Sequence, residues 1–321
     1  MALISVIIPN YNCGKWLSKT LESCLKQKEF IKEIIVVDDF STDNSMSILY
    51  EYASKNPELI KVFLNKEKGG NNARNYGYSL SSGEYIQWLD ADDILLDNKL
   101  KMQLEYFGAN PNIDIVYSDW EIITYDGSNA VLKSELKKSK QFDDYLYELL
   151  NDNWIAPHAY LVKKQTAQKL HDLNGWNPLT KYAQDREYFT IAAISGAKFG
   201  HVAGNNVVYN RYLNNKSLSR SVDMRVKSEQ ILNLLVLFLI KIKEQTWITL
   251  QQKIKYQNLI YSQAAYYCAV FKHPYPFGQL KFHQINWYII KGMRTKIKVL
   301  YYFISAGFKY SAKNLTKERC L

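Results

Sequence analysis

The stretch EYIQWLDADDILLD, residues 84–97, decides the fold. Tyr85, Ile86, Trp88 and Leu89 give it the composition of a buried strand. They run directly into Asp90, Asp92 and Asp93. Carboxylates are costly to bury unpaired, so a buried strand that ends in three acids implies a cation. Residues two apart in extended chain point to the same side, which turns Asp90 and Asp92 together toward a ligand and Ala91 away. Asp93 falls out of that phase. It is expected to cap the helix that ILLDNKLKMQLEYF (94–107) predicts.

Upstream, short apolar runs alternate with helical patterns. LISVII (3–8), EIIVVDD (33–39) and IKVFLN (60–65) read as buried strands. Between the first two, KWLSKTLESCLKQ (15–27) sets Leu17, Leu21, Cys24 and Leu25 on one helical face. STDNSMSILYEYASK (41–55) offers caps before a second helix, and KGGNNARNYGYSLSSG (68–83) is a Gly-Gly turn leading into a third. Such alternation predicts a mostly parallel sheet with helices on its faces. Ligands of such sheets bind at the carboxyl ends of the strands. Three of these ends are polar: PNYN (9–12), DDFSTD (38–43) and DADD (90–93). GxGxxG and GxxxxGK[ST] are both absent, so no glycine loop cradles phosphate. The alternative is a divalent cation on carboxylate oxygens, Mn²⁺ or Mg²⁺, bridging the phosphates.

The segment from Ser5 to about Asp97 resembles the family 2 glycosyltransferases, inverting enzymes of the GT-A fold. The pieces that match, in order, are SVIIPNYN (5–12), LSKTLESCLKQ (17–27), EIIVVDDFSTDNS (33–45) and GGNNARNYGYSLSSGEYIQWLDADD (69–93). The resemblance implies that Pro9 and Tyr11 border the nucleotide base and that Asp39 hydrogen-bonds a uracil ring. It implies that Arg74 lies near base or ribose, that Asp90 meets the ribose and that Asp92 holds the metal. Where the family commonly has Gly after the Asp pair, this chain has Phe40. The family's catalytic base lies in a Glu-Asp pair opening a helix in the acceptor half. KYAQDREYFTIAA (181–193) fits, with Asp185 as the base and Gln184 in place of the Glu. A helix N-terminus favours the charged carboxylate that a base requires. VVYNRYLNNKSLSR (207–220) resembles the family's post-catalytic loop, which makes Arg211 and Arg220 candidates for the diphosphate. Trp176 stands between stacking on a sugar and packing in the core, and His158 between lining the acceptor pocket and a structural role. The implied activity moves a sugar from a nucleotide donor, a UDP-sugar by expectation, to a hydroxyl of a glycan or lipid-linked glycan. Bacterial cell-surface polysaccharide or glycoconjugate synthesis is the setting the resemblance suggests.

With 321 residues, 47% hydrophobic and 22% charged, the chain is an ordinary globular one. Its expected division is a nucleotide-sugar-binding half (1–105), an acceptor half (106–221) and a basic, mainly helical C-terminal region (222–321). In the acceptor half, DIVYSDWEIITYDG (114–127) reads as one or two strands and a turn, and KSELKKSKQF (133–142) as a polar loop. Helical patterns surround 143–150, 164–173 and 183–195. The four cysteines form no CxxC, which fits a reduced, cytoplasmic compartment. ILNLLVLFLI (231–240), the longest apolar run, has ten residues, far fewer than the roughly 20 that span a bilayer.

Residues 241–321 hold 14 Lys and Arg against 2 acids, a net of +12, which leaves −2 of the chain's +10 for the first 240. Within this tail, Phe282, Ile285, Ile289, Met293, Ile297, Leu300 and Ile304 make one apolar stripe with Lys291, Arg294 and Lys298 opposite. Such a helix (281–304) suits the anionic inner face of a membrane, a homodimer interface, or the protein's own body. Two rivals to the enzyme stay open: a catalytically inactive nucleotide-sugar-binding domain, and a nucleic-acid binder driven by the tail. Nucleic acid is not the expected partner, because the first 240 residues are slightly acidic and no RNA-recognition signature appears.

Overall fold

β-Branched runs build the parallel half of the sheet. In the computed structural model, which describes residues 3–126, 128, 130–213 and 222–271, four strands run parallel. They are Ile4–Asn10 (β1), Ile31–Asp38 (β2), Ile60–Leu64 (β3) and Tyr85–Trp88 (β4), in the order β3-β2-β1-β4. Ile7 and Ile8, like Ile35 and Val36, are adjacent and all fully buried. Apolar residues therefore face both sides, as a sheet covered on both faces requires. The covers are Gly14–Leu25 (α1), Ser45–Lys55 (α2) and Gly70–Leu80 (α3). The face predicted for α1 is the one that buries Leu17, Leu21 and Cys24. Helix α3 approaches β1 so closely that a Cβ at Gly77 would stand 2.6 Å from Ile7 Cγ2.

Strand register brings the carboxyl ends together. Asn10 lies opposite Asp38, Asp38 opposite Leu64, and Trp88 opposite Ile7. At the other end of the strands Glu33 is the tie. It accepts hydrogen bonds from Ser5 Oγ (2.8 Å), Ser82 N (2.7 Å), Ser82 Oγ (2.8 Å) and Lys61 Nζ (2.8 Å). Burial alone would raise its pKa; these donors outweigh that and hold it at about 2.

The sheet continues as a mixed one. Leu161–Lys163 (β8) is antiparallel to β4 and to Ile115–Tyr125 (β6). Strand β6 runs parallel to Phe199–Tyr212 (β9), and Ile94–Leu95 (β5) is antiparallel to β9. Val131–Lys137 (β7) pairs antiparallel with β6. The remaining helices here are Lys99–Ala109 (α4), Tyr145–Leu150 (α5), Lys164–Asp172 (α6) and Gln184–Ile194 (α7), with a 3-10 turn at Pro157–Ala159.

Two expectations are corrected. Residues 131–137, read partly as loop, are strand, and they are polar because most of the strand is exposed. The helix predicted over 94–107 begins only at Lys99, because Ile94 and Leu95 pair with β9.

The chain divides into two compact units, Met1–Tyr145 with Trp154–Ser217, and Leu146–Asn153 with Leu218–Leu321. In the second, Met224–Glu244 (α8) and Leu250–Phe271 (α9) pack together. The Asp223 side chain caps α8 by accepting from Arg225 N at 2.7 Å. The amphipathic stretch 281–304 lies outside the described residues. Among the described residues no helix is long and apolar enough to cross a membrane.

Candidate active site

The loop after β2 is shaped by its own acids. Asp38 Oδ1 accepts from Asn10 Nδ2 at 2.7 Å and from Ser41 Oγ at 2.6 Å, so this acid folds the loop. Asp39 bonds elsewhere. Its two oxygens accept from Gly69 N at 2.8 and 2.9 Å, and Oδ1 also accepts from Asn65 Nδ2 at 2.8 Å. Asp39 thus ties the loop before α3 to the end of β2, and a carboxylate still has lone pairs for a base N–H. Phe40 has φ 63°, in the left-handed region where the family's Gly would be unstrained. Pro9 is half-buried, and Tyr11 is 42% exposed with Lys68 Nζ 5.0 Å from its ring.

The acidic loop after β4 is pinned from two sides. Thr20 Oγ1 of α1 donates to Ala91 O at 2.9 Å, and Gln27 Nε2, in the turn just after α1, to Leu96 O at 3.0 Å. From β9, Asn210 Nδ2 donates to Asp92 O at 2.7 Å and Asn210 N to Asp93 Oδ1 at 2.8 Å. Asp93 therefore caps no helix. It is fully buried and holds β9, with His158 Nδ1 3.1 Å from its other oxygen. Burial, then the charges of Asp92 and Asp90, raise Asp93 well above the carboxylate range; burial lowers His158 to about 4. Burial disfavours the charged form of both groups. His158 is fully buried against this loop.

Asp90 and Asp92 have different partners. Arg74 Nη2 lies 2.6 Å from Asp90 Oδ1, and its guanidinium carbon lies 4.6 Å from the centre of the Trp176 ring. Trp176 is 2% exposed and stacks on Tyr188 at 4.5 Å. The ring is enclosed on the side of Tyr188 and carries the Arg74 guanidinium in a cation–π contact. Burial, then the charge of Asp90, raise the Asp92 carboxyl to about 7. A divalent cation would offset the burial and the neighbouring charge that disfavour ionisation of Asp92, so this carboxylate fits the metal role. Among the described residues no three or more His, Cys, Asp and Glu cluster for a metal. A cation at Asp92 would then take few protein ligands and complete its shell with water and substrate phosphates, the habit of Mg²⁺.

Asp185 lies in the first turn of α7, half-buried. Its Oδ2 accepts a hydrogen bond from the Trp154 indole N–H, and its Oδ1 one from Arg186 N at 2.9 Å. Burial raises its pKa, Trp154 and Arg186 N lower it, Asp90 raises it and Arg74 lowers it. Asp185 is thus in electrostatic reach of the Arg74–Asp90 pair. The loop before α7 is held by α3. Asn75 Nδ2 donates to Trp176 O at 2.7 Å while Asn75 Oδ1 accepts from Trp176 N at 3.0 Å. Asn71 Nδ2 donates to Asn177 O at 2.7 Å.

Arg211, on β9, is half-buried and acts on the Tyr209 hydroxyl, as do Asp93, Asp90 and Asp92. Arg220 lies outside the described residues. Sequence reading missed Trp154, Asn75 and Asn210, whose partners lie 31, 101 and 118 residues away. Only the Asn-rich face of NNARN hinted at a polar clamp.

A parallel sheet whose strand ends gather an Asp-x-Asp pair, an arginine and a separate helix-borne carboxylate has the layout of a glycosyltransferase. Residues 5–170, just over half of the chain, match the model of glycosyl transferase family 2, and the chain belongs to that family. It is 32% identical over 170 residues to an uncharacterized glycosyltransferase of Haemophilus influenzae, covering 53% of this chain and 66% of that protein. It is 38% identical over 122 residues to the Escherichia coli UDP-Glc:alpha-D-GlcNAc-diphosphoundecaprenol beta-1,3-glucosyltransferase WfgD, covering 38% of this chain and 47% of that one. The chain spans two thirds or less of the length of these curated relatives.

Solved structures share the fold. Staphylococcus aureus TarS 1–349 in complex with UDP-GlcNAc superposes with a TM-score of 0.62 at 17% identity, over 88% of this chain and 77% of that one. The mannosyltransferase PcManGT of Pyrobaculum calidifontis, in complex with GDP-Man and Mn²⁺, gives 0.51 at 18% identity, over 95% and 86%. The GT-A-type α/β sheet expected from the sequence is the one observed.

Proposed function

We propose that the chain is a metal-dependent inverting glycosyltransferase that moves a hexosyl or N-acetylhexosaminyl group from a UDP-sugar to a hydroxyl of a glycan or lipid-linked glycan. The observation that supports this reading is the Arg74–Asp90 pair, 2.6 Å apart beside Asp92 at the end of β4, with Asp185 on a helix whose preceding loop is tied to α3 through Asn75. Pro9, Tyr11 and Asp39 bind the base of the nucleotide, and Arg74 and Asp90 the ribose side. Asp92 would hold Mn²⁺ or Mg²⁺, which when bound supplies positive charge against the diphosphate. Arg211, whose charge acts on the Tyr209 hydroxyl as those of the acids do, adds a cation suited to negative charge on the leaving group. The acceptor oxygen attacks the anomeric carbon as its bond to the diphosphate breaks, and the hydroxyl proton passes to Asp185. The donor class is supported by the UDP-sugars of TarS and WfgD, the metal by the Mn²⁺ of PcManGT, and the acceptor class by the diphosphoundecaprenol substrate in WfgD's name.

The test measures UDP binding by calorimetry and sugar transfer, with and without Mn²⁺. Asp92→Ala is expected to lose metal-dependent nucleotide binding. Asp185→Asn is expected to keep that binding and to transfer about 10²-fold or more slowly. Transfer at the wild-type rate by both variants overturns the assignment.

A further inference from the structure

Strand β7 is bonded along one side only, to β6. Among the described residues no backbone group outside that ladder pairs with it. On this strand Val131, Leu132 and Leu136 are 59%, 57% and 49% exposed. An edge strand with open amides and apolar side chains is a template for another strand. Its sequence, VLKSELK, identifies the strand that fits.

We propose that β7 pairs with β7 of a second copy of this chain, antiparallel, about a two-fold axis at Ser134. In that register Leu132 stands opposite Leu136 of the second copy, and Lys133 opposite Glu135 of the second copy. Because the interface is isologous, each pair occurs twice. Val131 meets the aliphatic stem of Lys137. No like-charged residues stand directly opposite. Along one strand Glu135 already lies 3.1 Å from Lys133 and 3.3 Å from Lys137, so one acid faces two bases, and a further lysine's opposite charge is accommodated across the axis.

Neighbouring registers are worse. An axis at Lys133 or at Glu135 sets that residue against its own copy, charge on like charge. An axis half a step either way sets Leu132 against Glu135 or Lys137. An axis at Leu136 would also set leucine against leucine and Glu135 against Lys137, but it pairs only residues 135–137 of the strand; the Ser134 axis pairs all of Val131–Lys137, with two leucine pairs and two lysine–glutamate pairs. Alternation then puts both leucine pairs on one face and both ion pairs on the other. A seven-residue edge is a small interface, below the roughly 1,200 Å² of standard complexes, so association is expected in the micromolar range.

The test is sedimentation of the full chain at about 0.15 M salt, where the Debye length of roughly 8 Å screens the net charge of +10 but spares direct contacts. A monomer–dimer equilibrium is expected over the micromolar range. Lys133→Glu and Glu135→Lys are each expected to weaken it about tenfold or more, since each creates two like-charged pairs. The double variant K133E/E135K restores the original pairs in reverse and is expected to dimerise within a few-fold of wild type. The Lys133 and Glu135 side chains are 62% and 30% exposed and pair along their own strand, contacts worth about 0–1 kcal/mol, so the melting of each variant is measured beside its association and a small loss of stability is expected without unfolding. A wild type that stays monomeric, as it would if some other strand covers this edge, overturns the proposal. So do single variants that dimerise like wild type, and a double variant that does not.

Discussion

As the proposed base, Asp185 carries two opposed demands. A base must be charged before it reacts, yet a site that excludes water disfavours charge, and burial raises this carboxyl above its ordinary value of 3.8. Trp154 offsets part of that rise, since an indole N–H that donates to the carboxylate stabilises the charged form. The sign is direct: activity needs the unprotonated acid, so it is lost as pH falls through the pKa of Asp185. The acid limb of the kcat/KM profile is therefore expected above the usual aspartate value. Trp154→Phe removes the donor and moves that limb to higher pH, with most activity regained at alkaline pH. If Trp154 were only packing, its loss would lower activity equally at every pH; a uniform loss would refute the electrostatic role. The acids were legible at this scale because strand ends announce themselves in sequence. Trp154 was not, because its neighbours in the chain say nothing of a partner 31 residues on.

At the scale of elements, legibility followed burial. β1, β2 and β3 were readable as unbroken apolar runs because both faces of the sheet are covered. β7 was not readable, since exposure left it polar without alternation, and neither was β5, two residues long, which exists only through its pairing with β9. That pairing also explains the misreading of Asp93, whose partners are β9 and His158 and not the helix that follows. Glu33 is the clearest case of an element held by one side chain, since it joins β1, β2, β3 and the turn before β4. Its pKa of about 2 in the folded chain is below its ordinary 4.5, so its stabilisation is fully present above 4.5 and lost as pH falls through 2. Taken at face value that shift is about 3 kcal/mol. The Lys61 side chain is 47% exposed, which reduces the expectation to about 1–2 kcal/mol. Urea unfolding between pH 2 and 6 is expected to show Glu33→Gln less stable than wild type by that amount at pH 6, the gap closing by pH 2. A gap that stays constant across the range would mean the loss is packing and not charge.

At the scale of the whole molecule, charge is segregated along the chain: residues 241–321 net +12 and the rest −2. A catalytic region close to neutral suits a site that must admit an anionic donor using its own few cations. The excess basic charge is then free to serve another surface, and the reading proposed for 281–304 is the anionic face of a membrane that carries a lipid-linked acceptor. The helix expected from the sequence there would set apolar residues on one side and Lys291, Arg294 and Lys298 on the other, the area and the charge that interfacial binding needs. Each basic residue near an anionic surface contributes about 1 kcal/mol, so replacing these three by alanine is expected to weaken partition about 100-fold. Co-sedimentation with vesicles of phosphatidylcholine and phosphatidylglycerol measures it, with pure phosphatidylcholine as the uncharged control. Binding should be strong on the mixed vesicles, weak on the control, and should fall as salt shortens the Debye length. Equal binding to both compositions, or a triple variant that partitions like wild type, would leave the tail without this role and return its charge to an acidic protein or to nucleic acid.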